Sequence, residues 1–202
     1  NDGEINIGEG DYGSVAVQAD AVVNSNGNFN VGNSSNAGRL RVQGDLIANN
    51  NDGALNIGGG GTGSNTPSSL VVENNLLVTN GATLNVDLDS DIDTLRINND
   101  IIVKDNGTLN ISSGSNNAGT VRVEGQITVE NGGTIHVGDE NDPGRLKAEG
   151  DLVASNNGAT INVGGGGAGS NTPSSLLIDG DLAVNNGATL NTGVDSETDT
   201  HR

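Results

Sequence analysis

The chain has 202 residues, 32% of them apolar, with two aromatic side chains and a formal net charge of −18. Because 26 acidic side chains stand against 8 basic ones, neither nucleic acid nor an anionic membrane surface is an expected partner. Cysteine is absent, which excludes disulfides and thiolate chemistry. No apolar run approaches the length of about 18 residues that a membrane-spanning helix needs, so we expect no direct membrane insertion.

The apolar residues recur with a regular period, although the average composition is typical of disorder. Taken in chain order, the full repeats begin at Val15, Leu40, Leu70, Leu95, Val121, Leu146 and Leu176. Their spacings are 25 or 26 residues, apart from two spacings of 30, and the segment GEINIG at 3–8 completes an earlier repeat. Residues 40–94 align without a gap on 146–200. A four-coil block of 106 residues, 40–145, is therefore duplicated, with a partial second copy at 146–202.

Each repeat contains three short segments in which apolar and polar residues alternate. In the repeat at 70–86 the apolar pairs are Leu70/Val72, Leu76/Val78 and Leu84/Val86. Alternation with a period of two indicates strands with one buried face. One coil buries little alone, whereas stacked coils share a core and pair equivalent strands roughly 4.8 Å apart. The predicted fold class is all-β: a single-stranded parallel β-helix (β-solenoid) of about seven coils, forming one domain over residues 1–202.

Antiparallel hairpins are the main alternative, because Asn-Gly, the strongest short hairpin signal, recurs between the second and third strands. Its occurrences are Asn26-Gly27, Asn80-Gly81, Asn106-Gly107, Asn131-Gly132, Asn157-Gly158 and Asn186-Gly187. The same dipeptide also supplies the positive φ that a solenoid corner needs. The fixed period, with the same residue types in the same columns, favours stacked coils over hairpins.

A glycine-rich string occurs twice, at 58–69 and at 164–175, and its two copies differ at Thr62 and Ala168 alone. Both copies follow the third strand of a 30-residue repeat. The string lacks the Lys-Ser/Thr of a phosphate-binding loop, and it also lacks the motif of calcium-bound β-rolls. We expect a structural loop that was duplicated with its block; contact with a ligand is the alternative.

The outward positions of the third strands form a Thr-x-Asn array. Its members are Thr83, Asn85, Thr108, Asn110, Thr134, His136, Thr160, Asn162, Thr189 and Asn191. Such an array on a flat sheet is similar to the ice-facing side of some β-solenoid antifreeze proteins. Thr also suits any exposed strand, and stacked Thr or Asn form favourable ladders. Because the earlier repeats break the pattern and His136 interrupts it, a solvated face is favoured over an ice-binding one.

The outward positions of the second strands form an apolar stripe, where a solvated face would carry polar residues. The candidate contact residues of this stripe are Val22, Ile47, Leu77, Ile102, Val153 and Ala183, with Thr128 in the same column. We predict that the stripe contacts a neighbouring chain or a covering segment. The alternative is that strand propensity alone selects these residues.

The first strands carry a basic row beside an acidic row. The basic row is Arg41, Arg96, Arg122 and Lys147, and the acidic row is Glu73, Glu124, Glu149 and Asp179. Adjacent rows of opposite charge indicate a solvated face of cross-strand pairs, with a receptor patch as the alternative.

An acidic run, DLDSDIDT, offers a candidate cation site. It places Asp87, Asp89, Asp91 and Asp93 at every second position, and 194–200 partly repeats it. Alternate carboxylates on one side of an extended segment could bind calcium through oxygen ligands. The run lacks the glycine turn and distal glutamate of a calcium loop, so a solvated acidic turn is the alternative. Apart from this calcium ion, the sequence suggests no cofactor.

Catalysis is not expected from this sequence. The histidines are His136 and His201, and no tryptophan is present to stack on a sugar. The acids occur as repeated columns or acidic turns, whereas glycoside hydrolysis needs one isolated pair of carboxylates.

The pattern Gly-Asp-Leu-x-Val-x-Asn-Gly-Ala-Thr-Leu-Asn at 180–191 resembles the repeats of bacterial autotransporter passengers and filamentous-haemagglutinin-type exoproteins. The resemblance covers nearly the whole chain. It implies a secreted, right-handed β-helical rod that holds adhesive sites away from the cell. The chain departs from these families in lacking a recognisable secretion domain or amphipathic cap.

Neither end carries a Pro-rich or charged cap, and His201 stands where the next repeat should begin. Open strand edges template further pairing, so we expect either a segment of a longer rod or end-to-end stacking into a fibre. The predicted function is a structural or adhesive rod, secreted or on the cell surface, that self-associates end to end or through the apolar stripe. A host or cell-surface ligand is a further candidate partner, and ice binding is the alternative function.

Overall fold

The computed structural model describes residues 4–7, 13–24, 28–32, 38–49, 54–58, 69–87, 94–112, 120–138, 143–164, 174–192 and 200–201. These residues form 23 β-strands and no helix. Within them there is accordingly no helix with the length and hydrophobicity needed to cross a membrane.

The strands form three sheets, each built from one strand of every repeat, and they are numbered in chain order. The first sheet contains β2 (Gly13–Val17), β5 (Gly38–Val42), β8 (Ser69–Val72), β11 (Thr94–Ile97), β14 (Thr120–Val123), β17 (Arg145–Ala148), β20 (Ser175–Ile178) and β23 (Thr200–His201). The second sheet contains β3 (Ala21–Asn24), β6 (Leu46–Asn49), β9 (Leu76–Thr79), β12 (Ile101–Val103), β15 (Ile127–Glu130), β18 (Leu152–Ser155) and β21 (Leu182–Val184). The third sheet contains β1 (Glu4–Ile7), β4 (Asn28–Val31), β7 (Ala54–Gly58), β10 (Thr83–Asp87), β13 (Thr108–Ser112), β16 (Thr134–Val137), β19 (Thr160–Val163) and β22 (Thr189–Thr192).

All strand pairs within these sheets are parallel, and their register matches the repeats read from the sequence. The residues that begin the repeats are paired in one column: Val15, Leu40, Leu70, Leu95, Val121, Leu146 and Leu176. His201 pairs with Leu176 in the same column. The predicted all-β solenoid is therefore confirmed, and the antiparallel hairpin alternative is excluded for the described strands. The right-handed winding and the number of coils stay predictions.

The inward residues of the three sheets form one continuous apolar core. In the coil that begins at Leu70, all six predicted inward aliphatic residues are buried. Burying an aliphatic side chain contributes about 1.5–3 kcal/mol, so the stacked aliphatic columns are the main stabilising term in a chain with almost no aromatic residues. At β21, the outermost described strand of the second sheet, the inward Leu182 and Val184 are 48% and 37% exposed.

At the corner formed by 156–159, the positive φ values belong to Asn156 (72°) and Gly158 (84°). Each of the other described corners between the second and third strands closes as a four-residue turn with positive φ at both central residues. These residues are Asn80 (54°) and Gly81 (76°) in one coil, and Asp105 (50°) and Asn106 (63°) in the next. The closing hydrogen bonds run from Ala82 N to Thr79 O (3.1 Å) and from Gly107 N to Lys104 O (2.8 Å). The prediction that Asn106-Gly107 supplies the positive φ is wrong by one residue, because Asp105 and Asn106 have the positive φ and Gly107 follows them. At the other described corners Asn-Gly lies in the turn, but the strand that follows pairs with the neighbouring coil instead of folding back.

The two glycine-rich strings connect third strands to first strands, as predicted. One joins β7 to β8 and the other joins β19 to β20. Apart from their end residues, the strings lie outside the described residues, so the expectation of a structural loop stays a prediction.

Candidate functional site

The apolar stripe is a continuous outward column on the second sheet. Register pairs join Val22 to Ile47, Ile47 to Leu77, Leu77 to Ile102, Ile102 to Thr128, Thr128 to Val153 and Val153 to Ala183. Val22 is 51% exposed, and the other members are half-buried by their neighbours along the column. The stripe therefore presents aliphatic side chains to the outside on six of seven adjacent strands.

Polar columns lie on both sides of this stripe, two residues before it and two residues after it. The column after the stripe consists of Asn24, Asn49, Thr79, Lys104, Glu130, Ser155 and Asn185. The column before it, here called the corner column, consists of Asp20, Asp45, Asn75, Asp100, Gln126, Asp151 and Asp181. The stripe is thus one residue wide, with a polar border on each side.

The corner column has a structural role that sequence reasoning missed. Its side-chain oxygens accept hydrogen bonds from backbone N–H groups one coil along. These bonds are Asp45 N to Asp20 Oδ1 (2.9 Å), Asn75 N to Asp45 Oδ1 (3.1 Å), Asp100 N to Asn75 Oδ1 (3.3 Å), Gln126 N to Asp100 Oδ1 (2.8 Å) and Asp181 N to Asp151 Oδ1 (2.8 Å). A signal was present, because Gly-Asp recurs at 44–45, 150–151 and 180–181.

The glycine of this motif makes room for the carboxylate beneath it. A Cβ at Gly44 would collide with Asp20 Oδ1, and one at Gly180 would collide with Asp151 Oδ1. Several of the many acidic residues therefore hold adjacent coils together, so the acidic composition is partly a consequence of the fold.

The Thr-x-Asn array lies on the third sheet in the predicted register. Thr83, Thr108, Thr134, Thr160 and Thr189 occupy five successive positions of one column. In the adjacent column, each Asn Nδ2 donates to the Asn Oδ1 of the preceding coil. The pairs are Asn30 to Asn6 (2.7 Å), Asn56 to Asn30 (2.8 Å), Asn85 to Asn56 (2.9 Å), Asn110 to Asn85 (2.8 Å) and Asn191 to Asn162 (2.8 Å). We call this column the Asn ladder.

His136 occupies one position of the Asn ladder. Asn162 Nδ2 lies 3.2 Å from His136 Nδ1. Because an amide nitrogen donates and does not accept, Nδ1 must be the acceptor, and the neutral ring then carries its proton on Nε2. Burial lowers the pKa of His136 below its ordinary value of 6.5, since the charged ring loses hydration.

The two charged rows of the first sheet pair with each other between coils. The ion pairs are Arg41–Glu73, Arg96–Glu124, Arg122–Glu149 and Lys147–Asp179, the last at 3.1 Å. Each cation contacts the carboxylate of the following coil, so the rows neutralise one another. Exposed pairs of this kind contribute about 0–1 kcal/mol each. The arrangement supports a solvated face, and a receptor patch there stays a prediction.

The candidate calcium site lies almost entirely outside the described residues. The backbone of Asp87 ends β10, whereas Asp89, Asp91 and Asp93 are not described. Among the residues that the structure does describe, no group of three or more acidic or histidine side chains is placed to bind a metal ion. Calcium binding by the acidic run stays a prediction, which a melting temperature lowered by a chelator would support.

Together, the three stacked parallel sheets and the outward columns define a β-solenoid. Comparison of the chain with protein-family models, with curated proteins and with solved structures found no match. The outward columns are therefore the observations from which a function can be inferred.

Proposed function

We propose that this protein is an extracellular structural rod, a secreted or cell-surface β-solenoid that associates with further copies of itself and acts without catalysis or a cofactor. The apolar stripe carries the proposal. The Asn ladder and the charged rows use their polar groups for contacts between coils, whereas the stripe from Val22 to Ala183 has an aliphatic surface that a second surface could bury. The likeness of the repeats to bacterial exoproteins supports the extracellular location and an adhesive role.

The proposed partner of the apolar stripe is the same stripe on a second copy of the chain. Two such surfaces facing each other would bury aliphatic side chains at the centre and leave the polar columns at the rim, as protein interfaces do. The net charge of −18 opposes this contact. Association of identical copies should therefore strengthen as added salt screens their repulsion, whereas binding to a cationic partner should weaken.

Replacement of Leu77, Ile102 and Val153 by Thr tests this contact. Thr128 already occupies the same column, so the fold tolerates Thr at this position. Val71→Thr is the matched control, because Val71 is a half-buried outward aliphatic residue on the first sheet. Sedimentation velocity over a concentration series, at low and at about 0.15 M salt, should show larger species for the wild type and the control, increasing with salt.

The triple variant should remain monomeric with an unchanged circular dichroism spectrum. A wild-type protein that stays monomeric at every concentration and salt level would contradict self-association. Negative-stain electron microscopy of the same samples distinguishes lateral pairing from end-to-end fibres. Antibody labelling of intact cells tests the extracellular location separately.

Ice binding is a second candidate function, and the in-register Thr column favours it. Five successive Thr residues repeat at the strand spacing of roughly 4.8 Å on one sheet. Thr108→Tyr should then abolish thermal hysteresis. Thr128→Tyr is the control, because Thr128 has a similar exposure on a different sheet. Circular dichroism must show that both variants fold, and a wild-type protein without thermal hysteresis would remove this candidate.

A further inference from the structure

The Asn-Gly corners share one sequence but differ in what their backbone amides contact. The dipeptide is chemically reactive, because the glycine nitrogen can attack Cγ of the preceding asparagine and no Cβ on the glycine obstructs it. The N–Cγ bond forms, the Cγ–Nδ2 bond breaks, and the backbone amide proton leaves with Nδ2 as ammonia. Water then opens the resulting succinimide at either carbonyl, which gives aspartate or isoaspartate.

Two of these corners are protected by hydrogen bonds. Gly81 N donates to Asp105 O of the following coil (3.0 Å), so its attack requires the coils to separate locally. Gly107 N donates to Lys104 O (2.8 Å), and Gly107 is buried. In both corners the nucleophilic nitrogen is engaged before any reaction can begin.

Two other corners lack this protection. Asn157, Gly158, Asn186 and Gly187 are all exposed. In the part of the chain that the structure describes, neither glycine nitrogen and neither asparagine side chain has a hydrogen-bond partner. At the corner of Asn157 the turn-closing bond is made by the next residue, Ala159, whose N–H donates to Asn156 O (3.2 Å). That bond leaves the amide of Gly158 unengaged.

The corner of Asn131-Gly132 is intermediate. Gly132 N has no partner among the described residues, but Asn131 Nδ2 donates to Asp105 Oδ1 (3.5 Å) and Gly132 is half-buried. The leaving group, Asn131 Nδ2, is therefore weakly hydrogen-bonded, whereas the nucleophile, Gly132 N, has no partner among the described residues. This corner should react more slowly than the two exposed ones.

We propose that Asn157 and Asn186 are sites of spontaneous deamidation in the folded protein, while Asn80 and Asn106 are protected by the hydrogen bonds that engage the backbone N–H groups of Gly81 and Gly107. Each event converts a neutral amide into a carboxylate and adds one negative charge to a chain that already carries −18. The modified residues would lie side by side, because the two corners follow β18 and β21, which are adjacent in the second sheet. The inference does not depend on what the rod binds.

Incubation of the native full chain at neutral pH, with tandem mass spectrometry of its peptides over time, tests the proposal. Asn157 and Asn186 should lose their amides about two- to tenfold faster than Asn80, because Gly81 must first break its hydrogen bond. The same chain unfolded in urea provides the internal control, since the rates at the Asn-Gly sites should then converge. Asn157→Gln and Asn186→Gln together should remove the acidic species that these two sites contribute on isoelectric focusing.

Equal rates at Asn80 and Asn157 in the native protein would overturn the proposal. So would an absence of deamidation at Asn157 and Asn186 under conditions in which the unfolded chain reacts. Both outcomes are read from the wild-type chain, so they do not depend on how well the glutamine variants fold.

Discussion

The corner between the first and second strands of a coil and the corner between its second and third strands differ in where their hydrogen bonds go. At the first corner a side-chain oxygen accepts a backbone N–H from the neighbouring coil, as Asp100 Oδ1 does from Gln126 (2.8 Å). At the second corner the bond that closes the turn stays within the coil, as from Gly107 N to Lys104 O (2.8 Å), and backbone bonds to the next coil are added beside it, as from Gly81 N to Asp105 O (3.0 Å). The stability of stacked repeats is approximately a sum of repeat terms and interface terms. The side chains of the first corner therefore contribute to the interface between coils, whereas the second corner sets the shape of each coil and adds backbone bonds to that interface.

Asp100→Ala should give the largest loss of stability at the first corner. The substitution removes the acceptor of the Gln126 backbone N–H at a half-buried position. An unsatisfied buried donor costs about 1–3 kcal/mol, and partial exposure places the expected loss toward the lower half of that range. Urea unfolding followed by circular dichroism measures the change in the free energy of unfolding.

Asp100→Asn is the matched control, because it keeps an oxygen in the same place. Asn75 fills the equivalent position one coil earlier, and its Oδ1 accepts the Asp100 N–H (3.3 Å). If the alanine and asparagine variants lose equal stability, the carboxylate acts through its charge and the proposed hydrogen bond between coils is refuted.

Gly81→Ala should be destabilising to a similar degree, and its effect belongs to the second corner. Gly81 has a φ of 76°, a conformation that costs a residue with a Cβ about 1–2 kcal/mol. Asn106 occupies the equivalent position of the next coil with a φ of 63°, so Gly81→Asn should cost less than Gly81→Ala. The same unfolding measurement compares them, and an alanine variant as stable as the wild type would show that this turn tolerates any residue.

The contrast between the corners also explains which features the sequence predicts. The second corner is local, so Asn-Gly identifies it, with an error of one residue where Asp105-Asn106 takes over the turn. The first corner depends on a contact between residues about 25 positions apart, such as Asp100 and Gln126. From the sequence alone, the acidic residues there are interpreted as surface charge. The register between coils then shows that their carboxylates lie next to backbone N–H groups of the following coil.

The outward columns also show which features depend on the repeat alone and which depend on other contacts. Strict periodicity and alternation fix the register, so the members of the stripe and of the Asn ladder could be predicted residue by residue. The hydrogen bonds of the Asn ladder follow once that register is known, because identical amides stack at the strand spacing. What the stripe contacts depends on a second surface, and composition and periodicity of this chain carry no direct signal for its geometry.

The smallest expected effect concerns a third kind of link between coils, in which one side chain contacts another. His136 accepts a hydrogen bond from Asn162 through Nδ1, and burial lowers its pKa in the folded protein. The unfolded chain should therefore bind the proton at a higher pH than the folded one. Stability contributed by the neutral ring is complete above pH 6.5 and declines as the pH falls through 6.5 toward the lower folded pKa.

His136→Asn tests this link, because it should complete the Asn ladder and remove the titration. The free energy of unfolding of the wild type, measured across this pH range, should fall more steeply on acidification than that of the variant. Protonation places an N–H of His136 against the donating Nδ2 of Asn162, and flipping the Asn162 amide to accept it would break the bond from Asn191 (2.8 Å). Parallel pH profiles for the two proteins would mean that the ring adapts without loss, and that the ladder between side chains contributes less than either corner.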